Sequence, residues 1–526
     1  MEIALKSFFA LSSIFYLITR YKTDLQMLQQ NSYRNNRYFN WCKISKDYSS
    51  VSRIIDLGIF LLLFTPFPIY ATLPVAGLAL AGKGYFNLKK KHKKPLVFTK
   101  RVWRLFSEML IFSAIFCVGG FFGIPGMKLE VIGIVATALA FASWLITMFC
   151  NWSMKPVENA INQSYFNDAK RLLAQMPDMK IIGITGSYGK TSTKHYLSRI
   201  LSEEFEVLMT PGSFNTPMGV IRTVREMMKP YNNVFIVEMG AKQIGDIKEI
   251  CNLVHPQYGI ITAVGEQHLE SFKSIENVQR TKFELIDALP SDGLAVLNDD
   301  FEYVANRKVD NVQALRYAVR NTGNANYTAT DIRYDEFGTH FTITSKGKSL
   351  QLDTKLVGEC NISNLMGAVI IAMELGVSDE KIKFAVSKIE QVEHRLNMKR
   401  TAGGVTIIDD AFNSNPDGSR MALDVLSMMT KGKRIVVTPG MIELGEKQVF
   451  HNANFGEHIT KTCDIAIIVG QYNREAILEG IKRNPQFSEE NTIIVDSFNE
   501  AQQKLATILK SGDTVLYEND LPDTFK

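Results

Sequence analysis

Two hydrophobic rhythms divide the chain near residue 155. Before it, apolar residues run almost unbroken over 4–18, 54–81, 105–122 and 131–149, each near the roughly 20 residues that carry a helix across a bilayer. These stretches predict transmembrane helices and a membrane region over 1–155. The second contains Pro66, Pro68 and Pro74, which fits one kinked span or a re-entrant hairpin returning to the same side. The first has the length of a secretory leader, but no small-residue cleavage site follows it, so it reads as a retained anchor.

After an amphipathic linker over 156–177 the rhythm changes. Short apolar runs at 181–185, 234–238, 259–264 and 294–297 end in polar residues and alternate with helical patterns. That alternation predicts a parallel sheet covered by helices. Residues 325–357 alternate polar and apolar positions and predict an antiparallel hairpin appended to the sheet. A second αβ unit begins near His394, with strands expected at 404–409, 434–438, 465–469, 492–495 and 514–517. The expected class is therefore α/β: N-terminal transmembrane helices, a phosphate-loop ATPase domain on a parallel sheet over 178–393, and a C-terminal Rossmann-like domain over 394–526.

Composition changes this picture little. The 526 residues, 46% of them hydrophobic, allow about three domains with packed cores. The net charge of +5 is unevenly spread. Lys89, Lys90, Lys91, Lys93, Lys94, Lys100, Arg101 and Arg104 form a block suited to anionic headgroups or a phosphorylated substrate, and equally to a cytoplasmic loop obeying the positive-inside rule. With the nucleotide-using part in the cytoplasm, that block lies inside if 105–149 is a two-helix hairpin. Six cysteines without CxxC spacing indicate neither zinc nor a disulfide framework and fit a reducing compartment. No nucleic-acid partner is expected.

The chemistry begins where the first parallel strand ends. Thr185, Gly186, Ser187, Gly189, Lys190, Thr191 and Ser192 form a glycine-rich loop between strand and helix. Backbone N–H groups there turn toward an anion, and the helix adds the positive end of its dipole. Lys190 would reach the terminal phosphates of ATP, and the Thr191 hydroxyl would hold Mg²⁺. Glu238 closes a neighbouring strand, where a carboxylate suits that ion. His268 follows the strand after it, making a candidate metal pair. Lys282 falls on the same helical stripe as Ile275, Val278, Leu285 and Leu289. A buried ammonium there needs a carboxylate, a route to water, or conversion to an anion. Asn361 and Asn364 share one face of a helix start and could grip adenine or cap the helix. Asp410 ends a strand and runs into a polar turn carrying Asn413 and Asn415.

Taken in order, these segments, with Gly265 to Leu269, His394 to Leu396 and Gly440 to Gly445, resemble the Mur ligase family, above all its MurF branch, across about 178–518. The resemblance implies a carboxylate that attacks the γ-phosphate of ATP and an amine that captures the acyl phosphate. It implies Thr191 and Glu238 as magnesium ligands and His268 as ligand of a second magnesium. Lys282 would be a carbamylated lysine, with Lys190, His268 and Lys282 catalytic. Asn361 and Asn364 resemble adenine-side asparagines, and Arg395 and Asp410 nucleotide contacts from a closing lobe. Asn215, Thr216, Asn413 and Asn415 fall on substrate loops. Three departures stand out: membrane segments replace the UDP-sugar-binding domain, Ser213 and Thr216 occur where the substrate loop usually has asparagine, and Tyr517 to Asp520 replaces a Lys-Gly-Ser segment. Cys360 also stands where a histidine is common.

The leading expectation is a membrane-anchored ligase acting on a cell-envelope precursor. It would take a carboxylate acceptor, lipid- or UDP-linked, and an amino acid or dipeptide amine, with membrane lipids as further partners. A poly-γ-glutamate-synthetase-like ligase is the near alternative. A phosphate-loop ATPase energising transport is the distant one, weakened by spans whose charges are limited to Asp56 and Glu108. A nucleotide-binding scaffold without turnover would not need Lys190, Thr191, Glu238, His268 and Lys282 together.

Overall fold

Apolar runs too short for helices become the centre of two sheets, and both sheets lie within Ser164–Leu521. In this computed structural model residues 1–45, 47, 50–63, 68–90, 94–124, 128–335, 338–412, 414–487 and 489–521 are described; Pro66, Lys91, Lys93 and Asn413 lie outside them. The first sheet comprises β1 (Lys180–Thr185), β2 (Val207–Met209), β3 (Val234–Glu238), β4 (Tyr258–Ile261), β5 (Leu294–Asn298), β6 (Gln313–Ala318), β7 (Tyr327–Asp335), β8 (Gly338–Ser345) and β9 (Lys348–Thr354). Its order is β2-β3-β1-β4-β5-β6-β7-β8-β9. Pairing is parallel as far as β7 and antiparallel from β7 to β9. The expected hairpin is thus a three-stranded meander. Strands β2 and β6 escape the hydrophobic pattern, β2 because it has three residues and β6 because Gln313 and Arg316 interrupt it.

Helix burial follows the 3.6-residue period. Helix Lys190–Leu201 packs Tyr196, Leu197, Ile200 and Leu201 against β-strand residues Ile182, Ile184, Val234 and Ile236, joined there by Leu365, Val369 and Ile370 of helix Glu359–Glu374. Each such side chain contributes about 1.5–3 kcal/mol when fully buried. Strand β1 turns its other face to Val278, Phe283, Leu285 and Ile286 of helix Ile275–Asp287. A second sheet follows, built from β10 (Asn397–Arg400), β11 (Thr406–Asp410), β12 (Arg434–Thr438), β13 (Ile465–Val469), β14 (Thr492–Val495) and β15 (Thr514–Glu518). Its order is β10-β11-β15-β12-β13-β14, with β10 the antiparallel edge.

Residues Met1–Gln163 form a separate helical body. Among the described residues two helices, Glu2–Gln30 and Lys100–Gly123, are long and apolar enough to cross a membrane. The pair Leu129–Phe141 and Ser143–Ser153, bent by 77°, makes a third if it is one span. The stretch at 54–81 instead divides between Val51–Leu62 and Ile69–Lys89, the latter carrying Pro74 inside it. Leu11, Leu78, Ile111, Ile115 and Phe122 are all exposed, an outward apolar face that water does not favour.

The interior of this body corrects one expectation. Its charges extend beyond Asp56 and Glu108, because the first helix runs on through Arg20 and Asp24 and buries them. Arg53 donates to the carbonyls of Ala140 (2.7 Å) and Phe141 (2.8 Å) and pairs with Asp47 (2.8 Å), which also takes Arg20 at 3.2 Å. Asp56 accepts from Tyr16 at 2.8 Å and pairs with Lys83.

Candidate active site

Strand β1 delivers Thr185 to a loop that requires glycine. Gly186 and Gly189 hold φ of +154° and +81°, and a Cβ at Gly189 would stand 2.1 Å from Asn364 Oδ1. No side chain fits there without displacing the asparagine. Lys190 opens the next helix and its ammonium reaches back to the carbonyls of Gly186 (2.6 Å) and Ser187 (3.1 Å). Burial lowers its pKa to about 8, with Glu238 pulling the other way.

Glu238 stands at the carboxyl end of β3 beside this loop and is 1% exposed. Its Oε1 accepts from Thr191 Oγ1 at 3.2 Å and from the Asn215 amide at 3.0 Å; its Oε2 meets Lys194 Nζ at 3.0 Å. Burial works against its charge, yet Lys194, Lys190 and Asn215 together hold its pKa below the usual carboxylate range. Lys194 was not singled out from the sequence. The signal was its position four residues after Lys190, on the same helix face. Its buried ammonium also donates to the Gly212 carbonyl, tying the loop at 211–216 to the Glu238 carboxylate. Breaking a buried pair leaves an uncompensated charge. Glu238→Gln should therefore lower stability by about 3 kcal/mol, read as a drop in the thermal unfolding midpoint of the purified chain; an unchanged midpoint would show that Lys194 has another anion.

The second sheet supplies the facing wall. Arg395 packs its guanidinium 4.2 Å from the Phe412 ring centroid and donates to the Phe412 carbonyl. Asp410, at the end of β11, accepts from the Leu396 N–H at 3.1 Å. Burial raises its carboxyl to about 6 despite Arg395. A cleft of about 130 Å³ is lined by Ser187, Gly189, Lys190, Thr191, Ser192, Asn215, Glu238, Asn361, Asn364, Arg395, Asp410, Asn415 and Glu518, among others. An adjoining cavity of about 520 Å³ shares Tyr188, Cys360, Asn364 and Met421 with it and continues past Asn298, Phe301 and Arg320. That volume is of the size that takes a nucleoside.

Several expected residues already have local partners. Asn361 bridges the Val357 carbonyl (2.8 Å) and Tyr196 Oη (2.8 Å), while Asn364 Oδ1 accepts from Thr193 Oγ1 at 3.4 Å. Thr216 and Asn415 cap helices by accepting from the N–H groups of Gly219 (3.3 Å) and Gly418 (3.0 Å). Thr185 Oγ1 bonds the Met239 carbonyl at 2.8 Å. Asn413 lies outside the described residues.

His268 and Lys282 do not line the cleft. His268 turns Nδ1 to Glu443 of the C-terminal lobe, and Glu443 also takes Lys242 at 3.2 Å. Burial lowers the His268 pKa while Glu443 opposes the shift. Lys282 is 2% exposed, as its place on the apolar stripe required. Burial, then the nearby charge of Lys190, drive its ammonium well below the usual range. Among the described residues no cluster of three His, Cys, Asp or Glu side chains is preassembled around a metal.

Two family models match, both beyond residue 183: "Mur ligase middle domain" over 184–372 and "Mur ligase, glutamate ligase domain" over 394–517. The UDP-N-acetylmuramoyl-tripeptide–D-alanyl-D-alanine ligase of Mycobacterium tuberculosis H37Rv is 31% identical over 363 residues, covering 64% of this chain and 70% of that protein. The Escherichia coli K12 enzyme of that name is 28% identical over 350 residues, covering 66% and 77%. Among solved structures, MurF from Acinetobacter baumannii superposes with TM-score 0.62 at 25% identity, over 68% of this chain and 77% of its own. MurF from Thermotoga maritima in complex with ADP gives 0.61 at 24% identity, over 68% and 80%.

Proposed function

The chain belongs to the Mur ligase family and is an ATP-dependent, ADP-forming ligase, and on that premise we propose that it joins a carboxylate to an amine on a cell-envelope precursor from a membrane surface. The observation that supports this most is the meeting, in one cleft, of Lys190, Thr191 and Glu238 from the first sheet with Arg395 and Asp410 from the second. The carboxylate attacks the γ-phosphate of ATP, ADP leaves, and the resulting acyl phosphate is captured by the amine with loss of phosphate. A carboxylate alone is a poor acyl donor, and phosphorylation gives it a leaving group. Lys190 would neutralise the charge that develops on the transferring phosphoryl group.

The Thr191 hydroxyl and Glu238 carboxylate, 3.2 Å apart, are hard oxygen donors that fit Mg²⁺. The ion would supply charge neutralisation across the phosphates. His268 would serve a second ion after its ring leaves Glu443. Lys282, buried and with its ammonium disfavoured, suits addition of CO₂ to the neutral amine, which forms an N–C bond and releases a proton. The product is an anion where the chain holds a suppressed cation.

We assign the apolar helices of 1–155 to a bilayer, with the ligase lobes in the cytoplasm. Sharing one surface with a lipid-linked acceptor raises the effective concentration of both without new contacts. A poly-γ-glutamate-type ligase would use the same cleft. The test supplies detergent-solubilised full-length chain and ATP with UDP-N-acetylmuramoyl-tripeptide, lipid-linked precursors and candidate amines. ADP should appear with product, one for one, when the right pair is present. ADP that never rises with any carboxylate and amine pair would overturn the ligation reading.

A further inference from the structure

Strands β11 and β15 are parallel neighbours, with Asp410 opposite Glu518 at their carboxyl ends. Paired residues of adjacent strands project to the same side of a sheet with backbones about 4.8 Å apart. Two carboxyls therefore stand side by side on the cleft wall. Glu518 is 1% exposed. Its Oε1 accepts from Ser414 Oγ at 2.5 Å, and its Oε2 has no hydrogen-bond partner. Among the described residues neither carboxyl makes an ion pair; Arg395, the nearby cation, is turned to the Phe412 carbonyl. Burial first, and then Asp410, push the Glu518 carboxyl well above its usual range.

Glu518 Oε2 is thus a buried acid oxygen that, among the described residues, receives no donor, and it stands beside a second acid. A ligand that satisfies it must bring N–H or O–H groups. The cleft volume is about 130 Å³, against roughly 30 Å³ for one water in the liquid. A group seated on Glu518 thus shares its cleft with Lys190 and Glu238. An amine approaches from water largely as an ammonium, without the lone pair it needs to attack.

We infer that Glu518, backed by Asp410, is the catalytic base that seats the incoming ammonium and removes its proton. The assignment rests on the ligase reading above and adds to it the group that activates the nucleophile. The proton passes from nitrogen to Glu518 Oε2, giving a neutral amine and a carboxylic acid. The freed lone pair forms the C–N bond at the acyl carbon, the C–O bond to phosphate breaks, and the departing phosphate takes the second N–H proton. Glu518 returns to its carboxylate by releasing the proton as product leaves.

The experiment compares two nucleophiles in full-length, detergent-solubilised protein supplied with ATP, Mg²⁺ and UDP-N-acetylmuramoyl-tripeptide. D-alanyl-D-alanine arrives mostly as an ammonium and needs a base. Hydroxylamine is mostly neutral at the same pH and does not, and it traps acyl phosphate as a coloured hydroxamate. Glu518→Gln, which keeps the shape and the Ser414 contact, should lower the rate with the dipeptide by about 10²-fold or more. The same variant should keep hydroxamate formation within about threefold of wild type, which also shows it to be folded and competent for phosphoryl transfer. Equal losses with both nucleophiles, accompanied by a raised KM for ATP, would assign Glu518 to the ribose hydroxyls and overturn the proposal. An unchanged dipeptide rate would overturn it too. Wild-type protein that gives ADP with neither nucleophile, whatever the acid, would end the ligase reading itself and this assignment with it.

Discussion

Lys190→Ala should lower the rate of ADP formation by about a thousandfold while leaving the fold intact. The ammonium lies at the mouth of the phosphate loop, where its hydrogen bonds go to the Gly186 and Ser187 carbonyls. Those contacts hold the side chain in place but do not hold the sheet together, which depends on Ile182, Ile184 and their partners. Preorganised charge in a dry cleft acts far more strongly on a developing phosphoryl charge than the same charge in water. Burial has already lowered the Lys190 pKa to about 8, and incoming phosphates would restore its preference for the charged form. The check is a paired measurement, ADP release against the thermal unfolding midpoint. A variant that keeps more than about a tenth of wild-type turnover would remove Lys190 from the phosphoryl-transfer step.

The second large effect is expected at Lys282. Lys282→Ala should abolish detectable turnover, and wild-type protein in degassed, bicarbonate-free buffer should slow and then recover when bicarbonate is returned. The cause is the solvation of one amine. At 2% exposure the ammonium is disfavoured by burial and by Lys190, which favours the neutral form that adds CO₂ relative to a solvated lysine. Removing the amine should also relieve an electrostatic burden, so the alanine variant should unfold no earlier than wild type apart from the space its stem leaves. Full activity in Lys282→Ala would eliminate the carbamate. Bicarbonate dependence that survives in that variant would place CO₂ elsewhere.

Much of this site is legible locally. Gly186, Gly189, Lys190 and Thr191 lie in one short segment whose spacing fixes its geometry, and Glu238 ends an apolar run that could be little else than a central strand. Lys282 betrays itself by periodicity alone, since a cation on an apolar stripe is an energetic contradiction. What could not be read are the relations between distant segments. The pairing of Lys194 with Glu238, the turn of His268 toward Glu443, and the alignment of Asp410 with Glu518 each join residues 44, 175 and 108 positions apart. No local pattern carries such a register. Strand β2 was hidden for another reason: its neighbour β3 supplies the pairing, so three residues suffice. In 1–155 the apolar runs suggested spans charged only at Asp56 and Glu108, yet Arg20, Asp24 and Arg53 also fold inward because each finds an opposite charge or a carbonyl.

The order β10-β11-β15-β12-β13-β14 has a bearing on how the protein is made. β15, which follows the other five strands of this sheet along the chain, is wedged into its middle, not added at a rim. A nascent chain cut short before β15 would hold two half-sheets with raw edges toward each other and no Glu518 between them. The C-terminal lobe in this way stays unclosed until β15 has been translated, and a stop before it yields a substrate for proteolysis.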